Sequence, residues 1–189
     1  MTDRRSNLRS HVQAWLRRED GNAAVGFALV FPLFFALFAA SFEIGLFTVR
    51  QTILERAVDL TVRAIRLNQM PNPDHDSIKE MICLNAPSLS DCDATLKVDL
   101  TRVATTNWTM PTGDGTCRDR SQPIDPPGAV DPNPQARQVL MVMRVCYIAE
   151  AIFPGTGIAA GLQRETHAAD GTRSGGYRVL ATTAFLNEP

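Results

Sequence analysis

Residues 22–42 read NAAVGFALVFPLFFALFAASF, and these 21 residues contain no charged side chain. A helix rises about 1.5 Å per residue, so the stretch would span roughly 31 Å, which is the hydrocarbon thickness of a bilayer. Seven of the nine Phe residues of the chain lie between residues 27 and 47. The sequence therefore predicts a transmembrane helix over residues 22–48 and argues against a freely soluble protein.

The charges on either side of the apolar stretch predict its orientation. Residues 1–21 carry five Arg and three acidic residues, whereas residues 49–189 carry 14 basic and 16 acidic residues. Basic side chains are retained on the cytoplasmic side of a membrane, and the first span usually decides the topology. We therefore predict a basic cytoplasmic leader over residues 1–21 and an exported domain over residues 49–189.

An amphipathic helix is predicted to continue directly from the membrane span. Within residues 43–68, apolar side chains recur at helical spacing and charged residues lie between them; the apolar positions are Phe47, Leu54, Val58, Val62 and Ile65. Pro32 lacks a backbone donor and is a candidate position for a kink. Glu43, at the end of the span, either contacts a partner helix or marks the membrane interface. We predict one helix over residues 22–68, with a helical rod over residues 49–68 outside the membrane.

The rest of the exported domain predicts an α+β fold. Pro71 and Pro73 are expected to end the long helix, and Ser77 with Glu80 has the spacing of a capping box before a short second helix. Strand-like composition occurs in LKVDLTRV (96–103), QVLMVMRVCYI (138–148) and YRVLATTAFL (177–186). Residues 105–136 form a Pro/Gly-rich loop, which is expected on the surface. We predict a sheet of three or four antiparallel strands packed on the rod.

All four cysteines lie in the predicted exported domain, at Cys83, Cys92, Cys117 and Cys146. An even number of cysteines in an oxidising compartment indicates disulfides, and three pairings are possible. Loop length favours Cys83 with Cys92, which leaves Cys117 to join the Pro-rich loop to Cys146. A zinc site is the alternative, but the cysteines lack the short spacing of zinc ligands and the three His are scattered. We expect neither a metal nor a cofactor.

Several segments carry a resemblance to a known family. The N-terminal signature is RREDGNAAVGFALVFPLFFALFAASFEIG (17–45), which runs on into RQTILERAVDLTVRAIRLN (50–68). Farther on, ICLNAPSLSDC (82–92), the stretch 117–120, MRVCYI (143–148) and the terminal ATTAFLNEP (181–189) add to it. Together these segments resemble the TadE-like proteins of tight adherence, or Flp-type, pilus systems.

The resemblance implies a pilin-like fold and a minor pilin or pseudopilin of the bacterial inner membrane. Its domain would be periplasmic, and it could be incorporated into the pilus. A prepilin peptidase would remove the leader between Gly21 and Asn22. Gly26 stands at the fifth position after that cut, where pilin-like precursors usually carry Glu, so a cleaved leader and an uncut signal anchor both remain open.

The partners that the resemblance implies are the membrane, other pilin-like subunits and the pilus assembly machinery. Helices approach closely in a membrane where their side chains are small, and Ala36, Ala39 and Ala40 offer such a surface. We predict that these three alanines contact the helices of other subunits.

Composition and motifs exclude other classes of function. The formal net charge of −1 gives no basic face for nucleic acid. No His accompanies the Ser and Asp residues in a recognisable nucleophile arrangement, so we expect no catalytic residues and no enzyme activity. Two hypotheses remain: a pilin-like component that supports pilus assembly and surface attachment, or an uncut single-span periplasmic adaptor or sensor module.

Overall fold

The apolar stretch and the amphipathic segment after it form one α-helix, α1, over Asn22–Arg66. The structure is a computed structural model that describes residues 22–70, 72–103, 106, 108, 110, 117–118, 127–131, 133, 139–153 and 176–186. By length and composition, α1 is a candidate membrane span. Pro32 lies inside the helix and does not end it.

The chain divides into two compact units, Met1–Ala39 and Ala40–Pro189. In the first unit the described apolar side chains are largely exposed, as a lipid-facing surface requires. Phe27, Phe31 and Phe35 stack along one side of α1, with ring centroids 5.0 and 6.0 Å apart. The second unit begins at Ala40, and residues of α1 from Glu43 onward contribute to its interior.

Asn68 closes the C-terminal end of α1. Its backbone adopts the left-handed conformation, with φ 55°. Its N–H donates to the Ile65 carbonyl and the Gln69 N–H donates to the Ala64 carbonyl, each at 3.0 Å. This is a Schellman motif, which satisfies carbonyls that the end of a helix would leave unpaired. Pro73 follows the end of the helix, and Pro71 lies outside the described residues.

The second helix, α2, covers His75–Asn85 and begins earlier than the predicted capping box. Asp74 is the N-cap, and its Oδ1 accepts a hydrogen bond of 2.9 Å from the Ser77 N–H. Ser77 Oγ in turn accepts from the Asp74 N–H at 2.9 Å. The Ser77 hydroxyl also donates to Asp74 Oδ1 at 2.6 Å, and this bond, followed by that from the Ser77 N–H, lowers the pKa of Asp74. Ser77 therefore occupies the third helical position and is not the cap.

A three-stranded antiparallel sheet follows a short helix α3, Cys92–Thr95. The strands are β1, Leu96–Arg102, β2, Leu140–Ala149, and β3, Tyr177–Leu186, in the order β1-β2-β3. The register pairs Leu96 with Tyr147 and Tyr147 with Val179. The three predicted strands are all present, which confirms the α+β, pilin-like fold.

The core of the second unit lies between α1, α2 and one face of the sheet. Leu54, Ala57, Val58, Val62 and Ile65 form the buried stripe of α1 at helical spacing. The sheet contributes the alternate residues that point to this side, which are Leu96, Val98, Leu100, Met141, Met143, Val145, Tyr147, Ala149, Tyr177, Val179, Ala181 and Phe185. Ile78 and Ile82 of α2 complete it. The rod is therefore the core helix of this unit.

The described part of the Pro/Gly-rich loop covers the outer edge of β1. Leu100 N donates to Ala129 O and Asp131 N donates to Leu100 O, both at 2.8 Å. Asp99 Oδ1 accepts from Ala129 N at 2.9 Å. A Cβ on Gly128 would lie 1.9 Å from the Val98 carbonyl oxygen, so this close approach requires glycine. This part of the loop pairs with the sheet, although its composition predicted no regular structure.

Two disulfides tie the second unit together, and the pairs are those that loop length favoured. Cys83 of α2 bonds Cys92 of α3 across a sequence separation of 9, with Cα atoms 5.7 Å apart. Cys117 bonds Cys146 of β2 across a separation of 29, with Cα atoms 5.2 Å apart. The second bridge fastens the Pro/Gly-rich loop to the face of the sheet opposite α1, because Cys146 is one of the residues that alternate to that side.

Candidate assembly site

Glu43 lies at the end of the apolar stretch and is fully buried, with an exposed fraction of 0%. Its Oε2 accepts hydrogen bonds from the backbone N–H groups of Ile152 and Phe153, at 3.1 and 3.2 Å. Oε1 has no hydrogen-bond partner among the described residues. A buried carboxyl group is costly unless it is hydrogen-bonded. Glu43 therefore holds the segment Glu150–Phe153 against α1, and within the described chain it contacts its own domain.

Arg50 holds the same segment two helical turns farther along α1. Its guanidinium donates to the Glu150 carbonyl at 3.0 Å and to the Tyr177 hydroxyl. The guanidinium carbon lies 5.6 Å from the centre of the Tyr177 ring, which is the geometry of a cation–π contact. The ring of Phe47 also contacts this ring, with centroids 5.7 Å apart and the two planes tilted by 55°. We call Glu43, Arg50, Tyr177 and the segment Glu150–Phe153 the boundary cluster.

Aromatic contacts extend the boundary cluster toward the apolar end of the helix. Phe42 meets Phe153 edge to face, with centroids 6.1 Å apart. Ile152 and Phe42 remain about half exposed, at 53% and 47%. The cluster therefore combines buried polar contacts with an apolar outer surface, as a protein needs where a chain meets a membrane interface.

Burial shifts the pKa of two tyrosines, Tyr177 of the cluster and Tyr147 of β2. Burial raises the pKa of Tyr177, while the hydrogen bond from Arg50 and the charge of that residue act in the opposite direction. Burial also raises the pKa of Tyr147, whose hydroxyl donates to the Ser90 carbonyl at 2.9 Å. Both phenols are thus held neutral beyond the pH at which an exposed tyrosine ionises.

These shifts predict loss of stability in alkali. Because the tyrosine pKa is higher in the folded state, the unfolded chain loses the phenolic proton at a lower pH than the folded chain does. The free energy of unfolding is therefore at its full value below about pH 10 and declines as the pH rises above it. Thermal midpoints of the detergent-solubilised chain from pH 8 to 11 should fall more steeply for the natural sequence than for Tyr177→Phe. Equal slopes would show that Tyr177 ionisation does not contribute.

The site residues predicted from the sequence fall in different surroundings. Gly21 and the leader over residues 1–21 lie outside the described residues, and Asn22 is the first residue of α1. Among the three alanines, Ala36 is exposed, Ala40 is half-buried and Ala39 is buried, with an exposed fraction of 1%. That these three alanines contact the helices of other subunits stays a prediction.

Sequence reasoning found Glu43 but missed what it binds. A single carboxyl group at the end of 21 uncharged residues is a visible signal, whereas its hydrogen-bond partners lie 109 and 110 residues farther along the chain. Arg50 and Tyr177 are 127 residues apart and carry no joint motif. Within the part of the chain that the structure describes, no three His, Cys, Asp or Glu residues are grouped to hold a metal ion.

A comparison with protein families supports the N-terminal resemblance. The family model described as TadE-like protein matches residues 21–63, which begin one residue before α1 and end three residues before its last residue. The TadE-like resemblance is thereby confirmed over this segment. No curated protein and no solved structure matches the chain.

Proposed function

We propose that this protein is a pilin-like subunit, a minor pilin or pseudopilin, of tight adherence pilus assembly. The single observation that carries the proposal is the coincidence of the TadE-like match with one continuous helix. That helix begins with exposed apolar side chains and continues into the core of an α+β domain. One element can therefore anchor the subunit in a membrane or a helical bundle and carry its folded domain.

The proposed topology is a single span of the bacterial inner membrane. The N-terminus is cytoplasmic and the domain is periplasmic, in keeping with the five Arg before the span and with two disulfides after it. The subunit has no catalytic step of its own in this proposal, and prepilin peptidase acts on it between Gly21 and Asn22. Its partners are other pilin-like subunits and the assembly machinery.

The proposed mechanism is an exchange of contacts along the apolar part of α1. In the membrane its side chains contact lipid, and in the assembly they contact the helices of other subunits. Lipid tails are as apolar as the side chains, so close packing has to drive this exchange. Ala36 is the exposed residue among the three alanines, and it is a position where a neighbouring helix can approach closely.

A tryptophan at position 36 should block assembly. Overpacking a close contact costs about 1 to 3 kcal/mol, and each 1.4 kcal/mol corresponds to about a tenfold loss of association. Ala36→Trp should therefore reduce sheared surface pili by about tenfold or more, while membrane insertion and disulfide formation persist. Leu33→Trp is the matched control, because Leu33 is already large and exposed and should tolerate the ring. Normal piliation of Ala36→Trp would contradict this mechanism.

The mass of the mature N-terminus distinguishes the proposal from the adaptor or sensor alternative. A chain that begins at Asn22 and depends on a small residue at Gly21 supports a processed, pilin-like subunit. A chain that keeps its leader, in cells whose pili assemble normally without this protein, favours the uncut adaptor. Gly26→Glu restores the pilin-type carboxyl group and should speed processing or incorporation if the subunit enters the filament.

A further inference from the structure

Among the described residues, the outer edge of β3 has no backbone partner over its last half. Along an antiparallel pair, residues alternate between those that bond the neighbouring strand and those that point away from it. Val103 N donates to Leu140 O. Leu140 and every second residue after it in β2 therefore form their backbone hydrogen bonds with β1. The residues between them, from Met141 onward, then bond β3, and Met141 pairs with Phe185. The even-numbered residues of β3 therefore direct their N–H and C=O groups away from the sheet.

One contact of α1 supports this assignment and sets the limit of the free edge. Gln51 Nε2 donates to the carbonyl of Leu180, an even-numbered residue, at 2.7 Å. Beyond it, Thr182, Ala184 and Leu186 are exposed, and their outward groups have no backbone partner within the described chain. At about 3.4 Å per residue, the open edge from Thr182 to Leu186 spans roughly 14 Å.

The two outer edges of the sheet differ in whether another described segment covers them. The edge of β1 is covered by residues 129–131, which bridge Leu100 on both its N–H and its C=O. Natural sheets also protect an edge with Lys, Pro or inward charges, because an open edge pairs with other chains. Residues 182–186 read TTAFL and contain none of these. The last half of β3 thus has the features of an edge that is used for pairing.

A groove of about 420 Å³ runs beside this open edge. Its apolar lining includes Val62 near the end of α1, Leu67 directly after α1, and Phe185 from β3. Arg63, whose side chain is exposed, also lines it and brings a positive charge to the groove, and Arg66 and Asp59 lie beside it. A strand added to β3 would direct alternate side chains into this groove, where both an apolar residue and a carboxylate find complementary surroundings.

We propose that the edge of β3 from Thr182 to Leu186, together with this groove, binds an extended, acidic segment of a partner protein by adding a strand to the sheet. Main-chain hydrogen bonds to Thr182, Ala184 and Leu186 give affinity, and Arg63 selects for negative charge. A second copy is disfavoured as the occupant, because antiparallel pairing of two β3 edges would set the arginines of both grooves side by side. The inference does not depend on leader cleavage or on a filament role.

The test uses the full chain in detergent micelles and a seven-residue peptide in which valine alternates with glutamate. A peptide with lysine in place of glutamate is the ligand control. Hydrogen exchange measured by NMR should slow at the amides of Thr182, Ala184 and Leu186 with the glutamate peptide alone. High salt should weaken this protection, because the contact with Arg63 is exposed to solvent.

Two variants separate the edge from the charge. Ala184→Pro removes an outward N–H without removing a bond to β2, and should abolish protection while circular dichroism stays unchanged. Arg63→Glu should weaken binding of the glutamate peptide by about fivefold, as expected from a lost exposed ion pair plus a new repulsion. Arg56→Glu, an exposed arginine two turns earlier on α1, is the matched control and should change binding by less than about twofold.

Four outcomes would overturn the proposal. The first is equal protection by both peptides, and the second is no protection by the glutamate peptide. The third is slow exchange of the three amides without any peptide, which would show that another segment of this chain already covers the edge. The fourth is protection that rises with protein concentration alone, which would identify a second copy as the occupant. If Ala184→Pro fails to fold, Arg63→Glu against Arg56→Glu still decides the matter.

Discussion

Replacing both Cys117 and Cys146 by alanine is expected to lower the free energy of unfolding of the second unit by about 3 to 4 kcal/mol. The bridge closes a sequence separation of 29, and the entropy that a crosslink removes from the unfolded chain grows with the length of the closed loop. It also fastens the Pro/Gly-rich loop to the strand at the centre of the sheet. Chemical denaturation of the detergent-solubilised protein measures this loss.

The double replacement of Cys83 and Cys92 is the matched comparison. That bridge closes a separation of 9, so the same relation gives a loss of about 2 to 3 kcal/mol. The expected order is therefore a larger loss for the Cys117–Cys146 pair. A larger loss for the Cys83–Cys92 pair would contradict loop entropy as the main source of stabilisation. The contact between α2 and α3 would then be the larger contribution.

Glu43→Ala is expected to destabilise the second unit by about 2 to 4 kcal/mol. The substitution removes the carboxylate that accepts from the partly buried backbone N–H groups of Ile152 and Phe153, and losing a hydrogen bond to a charged group costs about 1.5 to 3 kcal/mol. The lost contacts should also release the segment Glu150–Phe153, so the amides of Ile152 and Phe153 should exchange faster than those of β1. Thermal unfolding and hydrogen exchange by NMR measure the two effects.

Glu80→Ala and Glu43→Gln serve as controls for this substitution. Glu80 is an exposed carboxyl group on α2, and its removal should change stability by less than about 0.5 kcal/mol. Glu43→Gln keeps a carbonyl oxygen that can accept both hydrogen bonds, so it should lose less stability than Glu43→Ala. Equal losses for the two Glu43 variants would mean that the negative charge matters more than the acceptor.

The boundary cluster gives the proposed assembly function a structural requirement. Glu43 and Arg50 lie on the part of α1 that follows the apolar stretch, and both hold the segment that follows β2. A subunit that exchanges lipid for protein contacts along its apolar helix needs its domain fixed to the same helix. Loss of Glu43 should therefore affect assembly through the domain, whereas Ala36→Trp affects the helix surface itself.

The sequence by itself determined the elements of this protein. Helix α1 and the three strands were predicted to within two residues at each end, because helical and strand periodicity are local properties of the chain. The loop length between cysteines also indicated the two pairs that the structure contains. The end of α1 and the cap of α2 were predicted wrongly at the level of single residues, because Asn68 and Asp74 act through backbone conformation and hydrogen bonds.

Only the tertiary structure decided which distant residues meet. The partners of Glu43 and Arg50 lie 100 or more residues farther along the chain, and no local pattern encodes such a contact. The same holds for residues 129–131, which cover one edge of the sheet, and for the open edge of β3 beside Arg63. Local periodicity fixes which face of an element is apolar, but the packing of whole elements sets which polar groups are buried together and which remain free for a partner.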